Sequence, residues 1–192
     1  MSQFEFVMTA VSILMSFGVV RLLDGLRAAL NKNGRYWVHS LWVLNRLMAY
    51  VLLWWGSWSV KEYEDWNLFT FSLWLVPFGF LYLQATALVT THPGDIKDWK
   101  SHFYEIRPWF FAMNFFYMLT LYSSTTIFGT LPFAHPVSIP TLVILTVSIV
   151  GYFSASHKVQ AAIILIVFLN TFLGWGVLLF NPSTLALDTF SP

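Results

Sequence analysis

Apolar residues fall into six long blocks, at about 5–26, 37–60, 68–90, 108–128, 139–156 and 159–180, joined by short polar connections. Each block is close to the ~20 residues an α-helix needs to cross a bilayer. The pattern therefore predicts an all-α integral membrane protein, with residues 1–192 forming one domain of six transmembrane helices. The connections punctuate these blocks. Asn31-Lys32-Asn33-Gly34 suits a helix C-cap followed by a turn, and Asn181-Pro182 suits a stop. Three prolines within nine residues of GTLPFAHPVSIP forbid a continuous helix there, and Pro140 can open the next one.

The longest connection, HPGDIKDWKSHFYEIRP, has its own period. Ile96, Trp99, Phe103 and Ile106 recur at helical spacing, which gives a short amphipathic helix with one apolar face. It is expected between helices 3 and 4, lying on the membrane surface. Asp95 would cap its start, and Arg107-Pro108 would separate it from the following span.

Composition agrees with a lipid environment. The chain is 57% hydrophobic and 10% charged, against roughly 25% charged in a soluble domain. Ten Trp, eight Tyr and nineteen Phe suit helices that meet the headgroup region. A net charge of +1 gives no field for nucleic acid, so membrane lipids are the expected partners. With no cysteine, thiol catalysis, thiolate metal sites and disulfides are excluded. The first block has no basic start and reads as a retained span rather than a leader.

Charge position sets an orientation. With both termini outside, the inner side receives Arg21, Arg27, Lys32, Arg35, Lys97, Lys100, Arg107 and Lys158, and the outer side Lys61 alone. Such a bias follows the positive-inside rule and places the termini on the periplasmic or extracellular side. Trp54, Trp55 and Trp58 then read as outer belt anchors.

Arg46 stands out because it lies inside an apolar block, nine residues beyond Trp37 and so about 13 Å deep. A charge there costs roughly 2.5–3.5 kcal/mol on insertion scales and needs a protein or water partner. Asp24, flanked by Arg21 and Arg27, is the expected partner. Asn45, Gln84 and Asn114 fall at a similar depth, with Asn170 deeper, so several spans can supply one polar layer. Two readings of Arg21, Asp24, Asn45, Arg46, Gln84 and Asn114 stay open: interhelical glue, or an anion or proton site in a cytoplasm-facing cavity.

Other chemistry finds little support. Of five histidines only His39 falls within a block, at a level where it could titrate against headgroups, and no pair has haem or metal spacing. No cofactor is expected. Neither a G-x-S-x-G nor an intramembrane Asp pair is present, which argues against an enzyme. Gly18 and Gly25 with Ser12 and Ser16, and Gly174-Trp175-Gly176, are small-residue stripes for close helix approach or for a homo-oligomer.

Phe4-Glu5, the run Arg21-Leu22-Leu23-Asp24-Gly25-Leu26, Tyr36-Trp37-Val38-His39 with Trp42, the Trp54-Trp55 pair, and Phe103-Tyr104 to Arg107-Pro108-Trp109-Phe110 together resemble a family of small uncharacterised bacterial six-span inner-membrane proteins. The resemblance implies a bacterial inner (plasma) membrane location and brings no catalytic residue with it. The function expected is of transport or permeation type, with a cytoplasm-facing polar site around Arg46 and Asp24. The alternatives are an accessory or sensor subunit of a larger membrane complex, and an intramembrane enzyme acting on a lipid-like substrate.

Overall fold

A computed structural model describes residues 2–29, 34–90, 92–128 and 138–180. The expected cap at Asn31 to Asn33, the proline-rich stretch from 129 to 137 with His135, the Asn181-Pro182 stop and the contacts of Gly174-Trp175-Gly176 lie outside the described residues. Within them the chain is all-helical. The elements are α1 (Gln3–Ala29), α2 (Trp37–Gly56), α3 (Leu68–Leu88), α4 (Trp99–Ile127), α5 (Ser138–Phe153) and α6 (His157–Phe180). Short 3-10 turns at Ser57–Val60 and Pro93–Asp95 extend the connections.

The helices alternate in direction between two ends. At one end the Trp99 amide donates to the Gly34 carbonyl at 3.1 Å. There too the Tyr36 hydroxyl meets His157 Nδ1 at 2.9 Å and Tyr104 at 3.4 Å. Gly34 permits this closure: its φ is +78°, and a Cβ would lie 2.1 Å from the Lys97 carbonyl oxygen. At the other end Phe4 meets Trp58, and Tyr63, Trp66 and Trp74 surround Phe128. Laterally, α4 packs against both α3 and α5, while α1 lies on α3 and α2, and α6 on α2.

α1 buries Val7, Val11, Met15, Gly18, Leu22 and Gly25, a single stripe at spacings of three and four. Its two glycines sit under neighbouring side chains, Gly18 beneath Tyr50 and Gly25 beneath Val89. Ser12 and Ser16 stand apart from that contact and bond the carbonyls of Met8 and Ser12 within α1.

The expected interfacial helix is not separate. α4 runs unbroken through Pro108 for 29 residues, because Trp99, Phe103, Phe110, Phe111, Met113, Asn114 and Tyr117 form one buried stripe on both sides of the proline. Continuous packing of that stripe outweighs the ~3 kcal/mol an interior proline costs. Its N-cap is Asp98, whose side chain accepts from the Lys100 amide at 2.9 Å; Asp95 belongs to the preceding 3-10 turn. Bonds from the Ser101 hydroxyl and then the Lys100 amide hold the Asp98 carboxyl below the ordinary carboxylate range.

α3 contains a second proline, Pro77, which has no N–H to offer the Leu73 carbonyl. α4 makes up the deficit: the Ser124 hydroxyl lies 3.2 Å from that oxygen and 2.8 Å from the Thr120 carbonyl. The last carbonyls of α3 are also met from outside. His39 Nε2 reaches Leu88 O at 2.9 Å and Arg21 Nε reaches Val89 O at 2.8 Å. A cation beside a helix C-terminus also suits the helix dipole.

Polarity is distributed inside out. Phe6, Phe17, Val51, Phe69, Phe116, Leu142, Phe153, Leu165 and Phe172 are exposed, so every helix presents apolar side chains outward. His39, Asn45, Arg46, Gln84, Asn114, Ser124, Ser148 and Gln160 are buried. Gln3–Arg27 in α1 and Leu68–Asp95, which contains α3, are long and apolar enough to cross a membrane; α5 and α6 supply shorter apolar stretches.

Candidate functional site

Arg46 lies at the tenth position of α2 and is 4% exposed. Its Nη1 donates to Gln84 Oε1 of α3 and to Asn114 Oδ1 of α4, both at 2.8 Å. Nη2 donates to Oδ1 of the adjacent Asn45. Each amide then passes the connection outward. Asn45 Nδ2 donates to Thr171 Oγ1 of α6 at 2.9 Å, and Asn114 Nδ2 to Ser148 Oγ of α5 at 2.8 Å. Those hydroxyls donate to the Val167 and Ile144 carbonyls of their own helices. Five helices, α2 to α6, thus share one hydrogen-bonded hub.

The hub is positive. Its amides are neutral, and among the described residues every hydrogen-bond acceptor of Arg46 is an amide oxygen. Hydrogen bonds to a charged group contribute roughly 1.5–3 kcal/mol each, so three of them offset much of the cost of burying the guanidinium. The guanidinium carbon also lies 5.4 Å from the centre of the Trp42 ring and 6.0 Å from that of Tyr117, within cation–π range.

The expected pairing of Arg46 with Asp24 does not form. Asp24 lies off the buried stripe of α1 and is exposed, while Arg21 uses its Nε on the Val89 carbonyl and Arg27 is exposed. The structure therefore divides the candidate residues. Asn45, Arg46, Gln84 and Asn114 come together; Arg21 and Asp24 do not join them. His39 is likewise corrected. It is fully buried against the Trp99 ring, with Nε2 on the Leu88 carbonyl.

Sequence reasoning missed Ser148 and Thr171, and picked Asn170, one residue from Thr171. It also passed over Trp42 and Tyr50, which flank Arg46 at i−4 and i+4 and so share its helical face. That spacing was the available signal. Trp42 Nε1, Arg46 Nε and the Tyr50 hydroxyl are buried polar groups with no hydrogen-bond partner among the described residues. Among the described residues no group of three or more His, Asp or Glu could hold a metal ion.

Comparison with protein-family models, with curated proteins and with solved structures finds no match.

Proposed function

We propose that this chain is a six-span inner-membrane protein of transport or permeation type, with the Arg46 hub as the polar centre its solute meets. The observation that carries this reading is the inverted polarity. Apolar side chains cover the outside of all six helices, while a cation and its amide partners occupy the inside. A bilayer makes the outer surface stable and leaves the hub as the place where a polar solute finds partners.

Charge at the helix ends supports the orientation. Arg21, Arg27, Arg35, Lys97, Lys100 and Lys158 belong to the end that joins Gly34, Tyr36, Trp99 and His157, and Lys61 to the opposite one. The first end is the cytoplasmic one by the positive-inside rule. Gly18 and Gly25 are already covered by Tyr50 and Val89, so a homo-oligomer would meet through other surfaces.

Reconstitution tests the proposal. Liposomes holding the protein are expected to pass small polar solutes faster than empty ones, and Arg46→Gln to lose that flux while remaining folded and monodisperse. Unchanged flux in Arg46→Gln would remove the hub from the pathway.

A further inference from the structure

A guanidinium has five N–H donors, and three of those on Arg46 are engaged, two on Nη1 and one on Nη2. One hydrogen on Nη2 and the one on Nε remain, and Nε is buried without a partner among the described residues. Nε and Nη2 form one edge of the planar group, the edge with which arginine meets a carboxylate side-on. Arg46 leans toward the start of its helix, which brings its charge to the face of Trp42, while the Tyr117 ring of α4 lies on it as well.

Trp42, Arg46 and Tyr50 stand one turn apart on a single face of α2, and the indole Nε1, the guanidinium Nε and the hydroxyl are buried, able to donate and, among the described residues, without partners. An indole N–H and a guanidinium N–H can only donate. A positive centre with spare donors and aromatic walls suits a singly charged, planar anion with an apolar body. A phosphate dianion would bring more charge than one guanidinium balances, and a metal cation would be repelled.

We infer that the free edge of Arg46 is a binding site for a small monocarboxylate, held side-on by Nε and Nη2 between the rings of Trp42 and Tyr117, with Trp42 Nε1 and the Tyr50 hydroxyl as further donors. This deepens the transport reading by naming the solute class. Binding and flux are separate measurements, so the two proposals fail separately.

The test uses the full chain purified in detergent, titrated with sodium acetate, sodium butyrate and sodium chloride at constant ionic strength and pH 7, with binding read by calorimetry and by the melting temperature. Saturable binding of acetate and butyrate is expected, with chloride at least about tenfold weaker because it cannot span two donors. Arg46→Lys keeps the charge but loses the planar fork, and should weaken acetate by about tenfold or more. Should that variant not fold, Tyr50→Phe removes one donor and keeps the ring, and should weaken acetate about threefold or more. Affinities unchanged in all folded variants, equal response to the three salts, or no saturable binding by the wild type would each overturn the site. Carboxylate binding without flux would leave this site standing and remove the transport reading; flux that depends on Arg46 without carboxylate binding would do the reverse.

Discussion

At the scale of single residues, the glycine and the serine that sit opposite larger groups are the most sensitive positions. A Cβ on Gly18 would lie 1.7 Å from the Tyr50 hydroxyl, so Gly18→Ala must displace that ring or part α1 from α2. A loss of about 1–3 kcal/mol is expected from overpacking, measured as a lower melting temperature in detergent. Ser124→Ala removes the hydroxyl beside the Leu73 carbonyl that Pro77 leaves free. Leaving a buried acceptor unpaired costs about 1–3 kcal/mol; a melting temperature equal to that of the wild type would show that the carbonyl has another partner. Residue identity made part of the hub legible. Arg46 inside an apolar block demands partners, and Asn45, Gln84 and Asn114 are amides at its depth. Ser148 and Thr171 were hidden because serine and threonine in a helix usually bond the carbonyl four residues back, as both also do here. Asp24 misled because charge complementarity says nothing about face: its neighbours Leu22 and Gly25 are buried while it is exposed.

Among elements, each of the six apolar blocks yields one helix, and α4 starts nine residues before its block. The fusion of the amphipathic stretch with the fourth block was not legible, because proline punctuation is a local signal and the stripe from Trp99 to Tyr117 acts over five turns. Helix ends yield a pH prediction. The Asp98 carboxyl is held below the ordinary carboxylate range by the Ser101 hydroxyl and the Lys100 amide. A depressed folded value stabilises the fold above the unfolded one, and that contribution is lost as pH falls through the folded value. Asp98→Ala should therefore melt earlier than the wild type at pH 7, and the gap should close as pH drops below the carboxylate range. A gap independent of pH would show that the cap's charge is irrelevant. At the C-terminal end of α3, Arg21→Ala frees the Val89 carbonyl, and faster hydrogen exchange at the last turn of α3 is the expected signature.

For the whole molecule, the proposed orientation puts Glu64 outside and Lys97 inside; both are exposed and lie at opposite ends of the bundle. A cysteine placed at Glu64 should react with an impermeant thiol reagent on intact cells, and one at Lys97 only after the membrane is opened. The reverse pattern would invert the orientation and with it the side from which Arg46 is reached.

The hub also has a history in time. Gln84 and Asn114 follow Arg46 by 38 and 68 residues, and Thr171 follows Asn45 by 126. A ribosome adding roughly 5–20 residues per second therefore needs about 3–14 s to deliver Asn114 after Arg46. Through that interval the guanidinium has only the partners already made, so α2 stays a poorly accommodated helix until α4 arrives. α4 thus acts as a completeness check: a chain cut short after α3 leaves Arg46 with only Asn45 and Gln84 to accept from it, one partner short, which marks it as unfinished.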